Sequence, residues 1–217
     1  MSDELELAAA PGFVDPRLKA EFPGLALAWT TLTVRSRRSP RWVSQRLREL
    51  SDRVHGAGVV AMRTQPIPHA YRAFFRHIGL DPDAVRIPSE EAAVARLLRG
   101  GFHSKDLLAD ALLIALVETG VPVWALNADR VEAGGLGVRL TGQGERFGTV
   151  TQPLAAGRLV VADARRVHAL LFGSIAPGHG ADAGTERIAL FAVGVDGVPA
   201  IHVEEALWTC GEILTQA

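Results

Sequence analysis

A single cysteine, Cys210, in 217 residues excludes a disulfide framework within the chain and a cysteine-rich zinc site. It reads as a small buried hydrophobe rather than a nucleophile. An excess of charge of one sign is also missing, since 23 Lys and Arg stand against 24 Asp and Glu, for a net charge of −1. That balance counts against nonspecific nucleic-acid binding, which draws on a strong basic excess, yet it leaves room for a local patch. The longest strongly apolar run, Leu107 to Val117, contains Asp110 and falls short of the roughly 20 helical residues that cross a bilayer. The opening MSDELELAAAPG lacks a basic start and an apolar stretch, so no secretory signal is expected and the protein is expected to be cytoplasmic. Internal repeats and low-complexity tracts are absent.

Several chemical signatures are missing too. GGLG at 134–137 is not followed by the Gly-Lys-Ser/Thr of a phosphate loop. Ser174, after Phe172 and Gly173, is not in a Gly-x-Ser-x-Gly turn. His179 and Asp182, three apart on a loop, do not make a metal site. Neither metal nor organic cofactor is expected.

What is present is the composition of a globular protein, with 48% hydrophobic and 22% charged residues. The length allows one large domain or two small ones. LALAWTTLTV (25–34) reads as a strand preceded by Phe22-Pro23-Gly24. A helix is expected over 41–55, with Ser39 as N-cap and Pro40 at its first position. Pro68 is expected to open another, stopped by Gly79, and Ser89 to cap a third ending at Gly100-Gly101. A fourth, Lys105 to Thr119, is apolar on nearly every face and so reads as central. A turn at Gly120 and Pro122, a short extended piece and a Gly-rich turn follow it. LGVRL, RLVVAD, VHALLFG, RIALFAVGV and PAIHVEEAL read as strands, the last running into a C-terminal helix from Glu204 to Leu214. Helices crowd the middle and strands the end, which favours an α+β fold, a single domain with a mixed or antiparallel sheet. Residues 1–20 and the loop 177–186 are expected to be flexible, leaving 21–217 as the domain.

One basic segment stands out: VRSRRSPRWVSQRLREL gathers Arg35, Arg37, Arg38, Arg41, Arg46 and Arg48 around Trp42. Cations interleaved with an aromatic ring suit phosphate contact and base stacking. A solvated helix face paired with Glu49 and Asp52 is the plainer alternative.

Taken in order, three further stretches carry a resemblance. PHAYRAFFRHIGLDP runs from Pro68 to Pro82. Pro88-Ser89 begins a segment that closes with Leu98-Arg99-Gly100. The run from Glu118 to Glu145 contains Gly120, Pro122, Trp124, Ala125, Leu126, Asn127, Asp129, Arg130, Val131, Arg139, Gly144 and Glu145. Together they resemble the editing domain of the bacterial phenylalanyl-tRNA synthetase β subunit, in its free-standing form. The resemblance covers about residue 20 to the end and implies a protein that binds or proofreads the aminoacylated acceptor end of tRNA, with no membrane or DNA partner; a homodimer is left open.

The implied chemistry is hydrolysis in trans of the ester on a wrongly charged tRNA, by a placed water and oxyanion donors. Glu145, at the family's Gly-Glu turn, and His103, an imidazole just ahead of the buried helix that could act as base or adenosine contact, are the catalytic candidates. Asp110, Trp124, Asn127, Gly135, Arg139 and Thr185 are candidates for substrate binding, and Arg37, Arg38, Arg41 and Trp42 for tRNA binding. Each has a plain structural alternative: a solvated Glu145, a helix-capping His103, a hydrogen-bonded Asp110, a core-filling Trp124 and a loop-capping Thr185. The chain departs from the family pattern at Asp106, Leu113, Trp124 and Asn127. A non-catalytic tRNA- or RNA-binding module, or a small-molecule amino-acid binder, therefore stays open beside the hydrolase.

Overall fold

In a computed structural model, residues 8–34, 38–182 and 184–217 are described. The chain enters through two short strands, Ala10–Pro11 (β1) and Phe13–Val14 (β2), hinged at Gly12. A Cβ at Gly12 would lie 2.5 Å from the Leu136 carbonyl oxygen and from Leu27 Cδ2, so only glycine fits there. A short helix, Pro16–Glu21 (α1), follows. Asp15 caps it by accepting from the Arg17 N–H, and Leu18 is buried beneath. Within the leading segment, residues 10–21 form β1, β2 and α1. Its glycine and one leucine tie it down where composition shows only a polar start.

Strand β3 (Ala26–Thr33) leads to helices α2 (Arg41–Arg53), α3 (Gly56–Met62), α4 (Pro66–His77), α5 (Pro88–Arg99) and α6 (Leu107–Thr119). Next come β4 (Val123–Asn127), a 3-10 turn (Ala128–Arg130), β5 (Gly137–Leu140), β6 (Leu159–Ala162), β7 (Val167–Leu170), β8 (Arg187–Gly194) and α7 (Ala200–Gln216). This is the α+β layout that the sequence leads one to expect.

Helix starts differ from expectation in instructive ways. Pro66, not Pro68, opens α4; Pro68 sits inside the first turn, where a missing N–H breaks no helical bond. Ile87 precedes Pro88 at the start of α5, so Ser89 lies within the helix instead of capping it. Its Oγ is buried and has no hydrogen-bond partner among the described residues. At α2 the N-cap is Pro40, with no side-chain bond, because the Ser39 hydroxyl is drawn to Asp110. The segment PAIHVEEAL is helical, not a strand. Val203, Ala206, Leu207, Cys210, Ile213 and Leu214 are buried at a three-to-four spacing, so helical periodicity wins over β-branched content.

The main sheet runs β1-β3-β8-β4, antiparallel throughout. Strand β8 is central and buried from Ile188 to Gly194, which is why it reads as a continuous apolar run. Helix α7 lies along β3 and β8, and α6 packs against α7. The second sheet, β2-β5-β6-β7, is mixed, because β2 runs parallel to β5. Strands β1 and β2 thus stitch the two sheets together.

Register gathers the loops at one end. Thr33 faces Arg187 and Asn127 faces Ile188, so β3 and β4 end where β8 begins. The Val34 N–H donates to the Glu186 carbonyl at 2.8 Å. Ser39 Oγ reaches Asp110 Oδ2 at 2.6 Å, adding the first turn of α6 to the same end.

Candidate functional site

At that end a cleft of about 990 Å³ is lined by Arg38, Ser39, Arg41, Trp42, Arg48, Ser104 and Lys105, among others. Trp42 is 40% exposed. Among the described residues neither Arg41 nor Lys105 has a carboxylate partner. Arg38, Arg41 and Trp42 are therefore brought together; Arg37 lies outside the described residues.

Asp110 is bonded to two of the residues that line this cleft, Ser39 and Ser104. It is 1% exposed and accepts from Ser39 Oγ, Ser104 Oγ and the Lys105 N–H. Those bonds explain how a carboxylate survives inside an apolar helix, and they commit it to holding two loops. His103 borders an adjacent recess with Asp110, Lys105 and Leu113. Its Nε2 lies 3.2 Å from the Arg99 carbonyl oxygen at the end of α5, the helix before it, and not at the start of α6. Asp106 caps α6 by accepting from the Ala109 N–H at 2.8 Å.

Arg139 and Glu145 form a second group. Arg139, on β5, donates through Nη1 to both carboxylate oxygens of Glu145, at 2.8 and 2.9 Å. The turn that carries Glu145 is made possible by Gly144 at φ +75°. Both oxygens of Glu145 are thereby engaged, and no contact joins it to His103.

The remaining candidates are scattered. Trp124 stacks on Phe191, its cross-strand partner, with ring centroids 5.4 Å apart and planes 11° from parallel. Its edge meets Phe172, around which Tyr71, Phe74 and Phe75 also gather. That environment is core packing, with the ring face already occupied. Asn127 accepts from the Asp129 N–H and caps the 3-10 turn. Gly135 has φ +82°, and a Cβ there would meet the Trp29 ring at 2.7 Å. Thr185 is buried and bonded to Asp182. Asn127 and Thr185 lie at the loop-bearing end of the main sheet.

Sequence reasoning missed three residues that do converge. Asp163, after β6, and His168, on β7, are both 0% exposed. His168 Nε2 lies 2.8 Å from Asp163 Oδ2, and His168 Nδ1 lies 3.0 Å from Nδ1 of the half-buried His179. Asp163 also accepts from the backbone N–H groups of Arg165, Arg166 and Glu132. Burial pushes its carboxyl up, but the bond from His168 and these backbone donors outweigh that and hold it below the usual carboxylate range. Burial, then His168, Arg166 and Arg130, pull the His179 imidazole below the ordinary histidine value, against a smaller opposing pull from Asp163. The available signal was a histidine inside the apolar run VHALL, since a buried imidazole needs a partner.

The loop that carries His179 is well tied. The Asn127 N–H donates to the His179 carbonyl, and Leu126 bridges Gly180. Within the loop 177–186, expected to be mobile, residues 179–181 pair along the edge of β4.

Cys210 is fully buried, and burial pushes its thiol up. A separate cavity of about 700 Å³, mostly apolar, lies among α2, α3, α4, α5 and α6 and includes Ser89. Among the described residues no group of three or more His, Cys, Asp or Glu could hold a metal ion, and no helix is long and apolar enough to cross a membrane.

An α+β domain whose loops converge on a cationic, aromatic cleft defines the class of protein. Residues 70–201 match the B3/4 domain, and the chain belongs to that family. It is similar to the phenylalanine–tRNA ligase β subunit of Gloeobacter violaceus, 33% identical over 130 residues. That similarity takes in 58% of this chain and 15% of the longer relative.

Proposed function

We propose that this protein recognises the aminoacylated acceptor end of tRNA and hydrolyses the ester of a wrongly charged one. The carrying observation is the cleft at the loop-bearing end of the main sheet, which Arg38, Arg41, Arg48 and Lys105 line together with the exposed Trp42. A flexible single strand with a charged backbone and flat bases asks for those two kinds of group together. Similarity to a tRNA ligase subunit supports tRNA over other RNA. The overall charge of −1 means that binding depends on this local cluster.

A second reading, a non-catalytic tRNA-binding module, draws on Glu145 and His103. The former is chelated by Arg139 and the latter faces the end of α5.

A panel of correctly and incorrectly charged aminoacyl-tRNAs, including tyrosine on tRNA-Phe, separates the two readings. The proposed hydrolase releases one mischarged species selectively and binds tRNA with an affinity that falls steeply with salt. Arg41→Ala and Lys105→Ala should each lower the log–log salt slope by about 0.7 if each meets one phosphate of a single strand. Binding without release supports the module. Absence of tRNA binding sinks both and leaves an amino-acid binder.

A further inference from the structure

We propose that His179 Nε2 is the general base of the hydrolysis, with Asp163 and His168 as positioning residues that fix its tautomer. This rests on the hydrolytic reading above. Geometry sets the proton positions one after another. The Asp163 carboxylate only accepts: Oδ1 takes the Arg165 and Arg166 N–H groups, and Oδ2 takes the Glu132 N–H. His168 Nε2, 2.8 Å from Oδ2, must therefore carry a proton. One proton per ring leaves His168 Nδ1 as an acceptor, so the 3.0 Å contact between the two Nδ1 atoms requires the proton of His179. A second proton on His168 would add a cation at a fully buried position, beside a ring already subject to the positive charges of Arg130 and Arg166. His179 Nε2 is then bare, and it makes no hydrogen bond among the described residues.

The ring is also held in place. Its carbonyl accepts from Asn127 N–H and its own N–H donates to the Ala176 carbonyl, both at 2.9 Å. This puts it beside the last residue of β4, at the end of the main sheet that bears the cationic cleft. The charged and titratable groups that act on it electrostatically are His168, Arg166, Arg130 and Asp163. Arg130 and Arg166 are exposed and have no carboxylate partner among the described residues, so they can take a phosphate of the tRNA end.

The step balances without any further reactant. Water gives a proton to His179 Nε2 as its oxygen bonds to the ester carbonyl carbon. The bond from that carbon to the ribose oxygen then breaks, and the ribose oxygen takes the proton back from Nε2. The products are free amino acid and tRNA with a free terminal hydroxyl, and the imidazole returns to its starting form.

The test pairs nitrogen NMR of the histidine rings in the full chain, near neutral pH, with single-turnover deacylation of the tRNA that the wild type hydrolyses. His168 should carry its proton on Nε2 alone and His179 on Nδ1 alone. His179→Gln should slow release by about 100-fold or more, the usual worth of a general base, with tRNA affinity within twofold of wild type. In Asp163→Asn the new amide faces His168 Nε2 as a donor, which inverts both proton positions. The rate should fall and the acid limb of the pH–rate profile should move, although His179 is untouched. Protonated Nε2 on His179 in the wild type, or undiminished release by a folded His179→Gln, overturns the proposal while leaving hydrolysis standing. Correct tautomers without hydrolysis of any charged tRNA overturn the hydrolytic reading, and His179 as its base falls with it.

Discussion

Ser39 and Asp110, 71 residues apart in sequence, meet at 2.6 Å and close the loop after β3 onto the first turn of α6. Ser104 and the Lys105 N–H complete the cluster around the same buried carboxylate. Asp110→Ala strips three donors of their acceptor and should cost about 3 kcal/mol, since bonds to a charged group are the stronger kind. Urea unfolding would measure the loss. A change under about 1 kcal/mol would show that water replaces the carboxylate freely.

Ser89 presents the opposite case. Its Oγ is buried in the first turn of α5 with no partner among the described residues, at the edge of the apolar cavity among the helices. Ser89→Ala removes an unsatisfied polar group and should raise stability by about 1 kcal/mol. A lower thermal midpoint in the variant would mean that the hydroxyl has a partner after all.

His179 should leave a signature in stability against pH. Its folded-state pKa is lowered, by burial first and then by His168, Arg166 and Arg130. The unfolded chain therefore binds the proton first, near pH 6.5, and the native state binds it only at lower pH. Stability should fall as pH drops from about 6.5 toward the folded value and then level off. Asp163 acts lower still. Its depressed pKa contributes stability above about pH 4 that is lost as pH falls through the folded value. Urea midpoints from pH 8 to 5 would test the first window, and an identical slope in His179→Gln would refute this account of it.

Gly148 governs where the His179 loop can sit. It has φ +58°, and a Cβ there would lie 2.2 Å from the Pro177 carbonyl oxygen. Gly148→Ala must push the two loops apart, against backbone and in a strained conformation. We expect slower hydrolysis with tRNA affinity within twofold of wild type, and a shifted His179 ring signal. An unmoved ring signal would mean that the His179 loop does not depend on this contact.

Much of the fold is legible in the sequence because single elements carry their own periodicity. β8 is an unbroken apolar run and α6 is apolar all round, and both fall where the sequence puts them. What escapes depends on distant partners. The first turn of α7 looks like a strand until its apolar residues are counted forward to Leu214. β1 and β2 are two residues each, too short for any pattern, and exist because β3 and β5 offer edges. The site follows the same rule. Arg38, Arg41 and Trp42 are neighbours in sequence and remain so in space. For the Asp163–His168–His179 chain the sequence offers only a histidine within an apolar run, and not its partners, because the three meet only when β6, β7 and the loop beyond fold onto one another.

The pairing of β3 with β8 has a consequence for how this protein is made. Thr33 waits for Arg187 across roughly 150 residues of chain, which at typical bacterial and eukaryotic synthesis rates is about 8–30 seconds. During that interval β3 and β4 both lack the strand that separates them, and their apolar faces stand open to any other nascent chain. Helices α2 to α6 emerge first and can collapse locally, but the central layer closes only when the last quarter of the chain appears. A nascent chain stalled before β8 is therefore the form most in need of a chaperone.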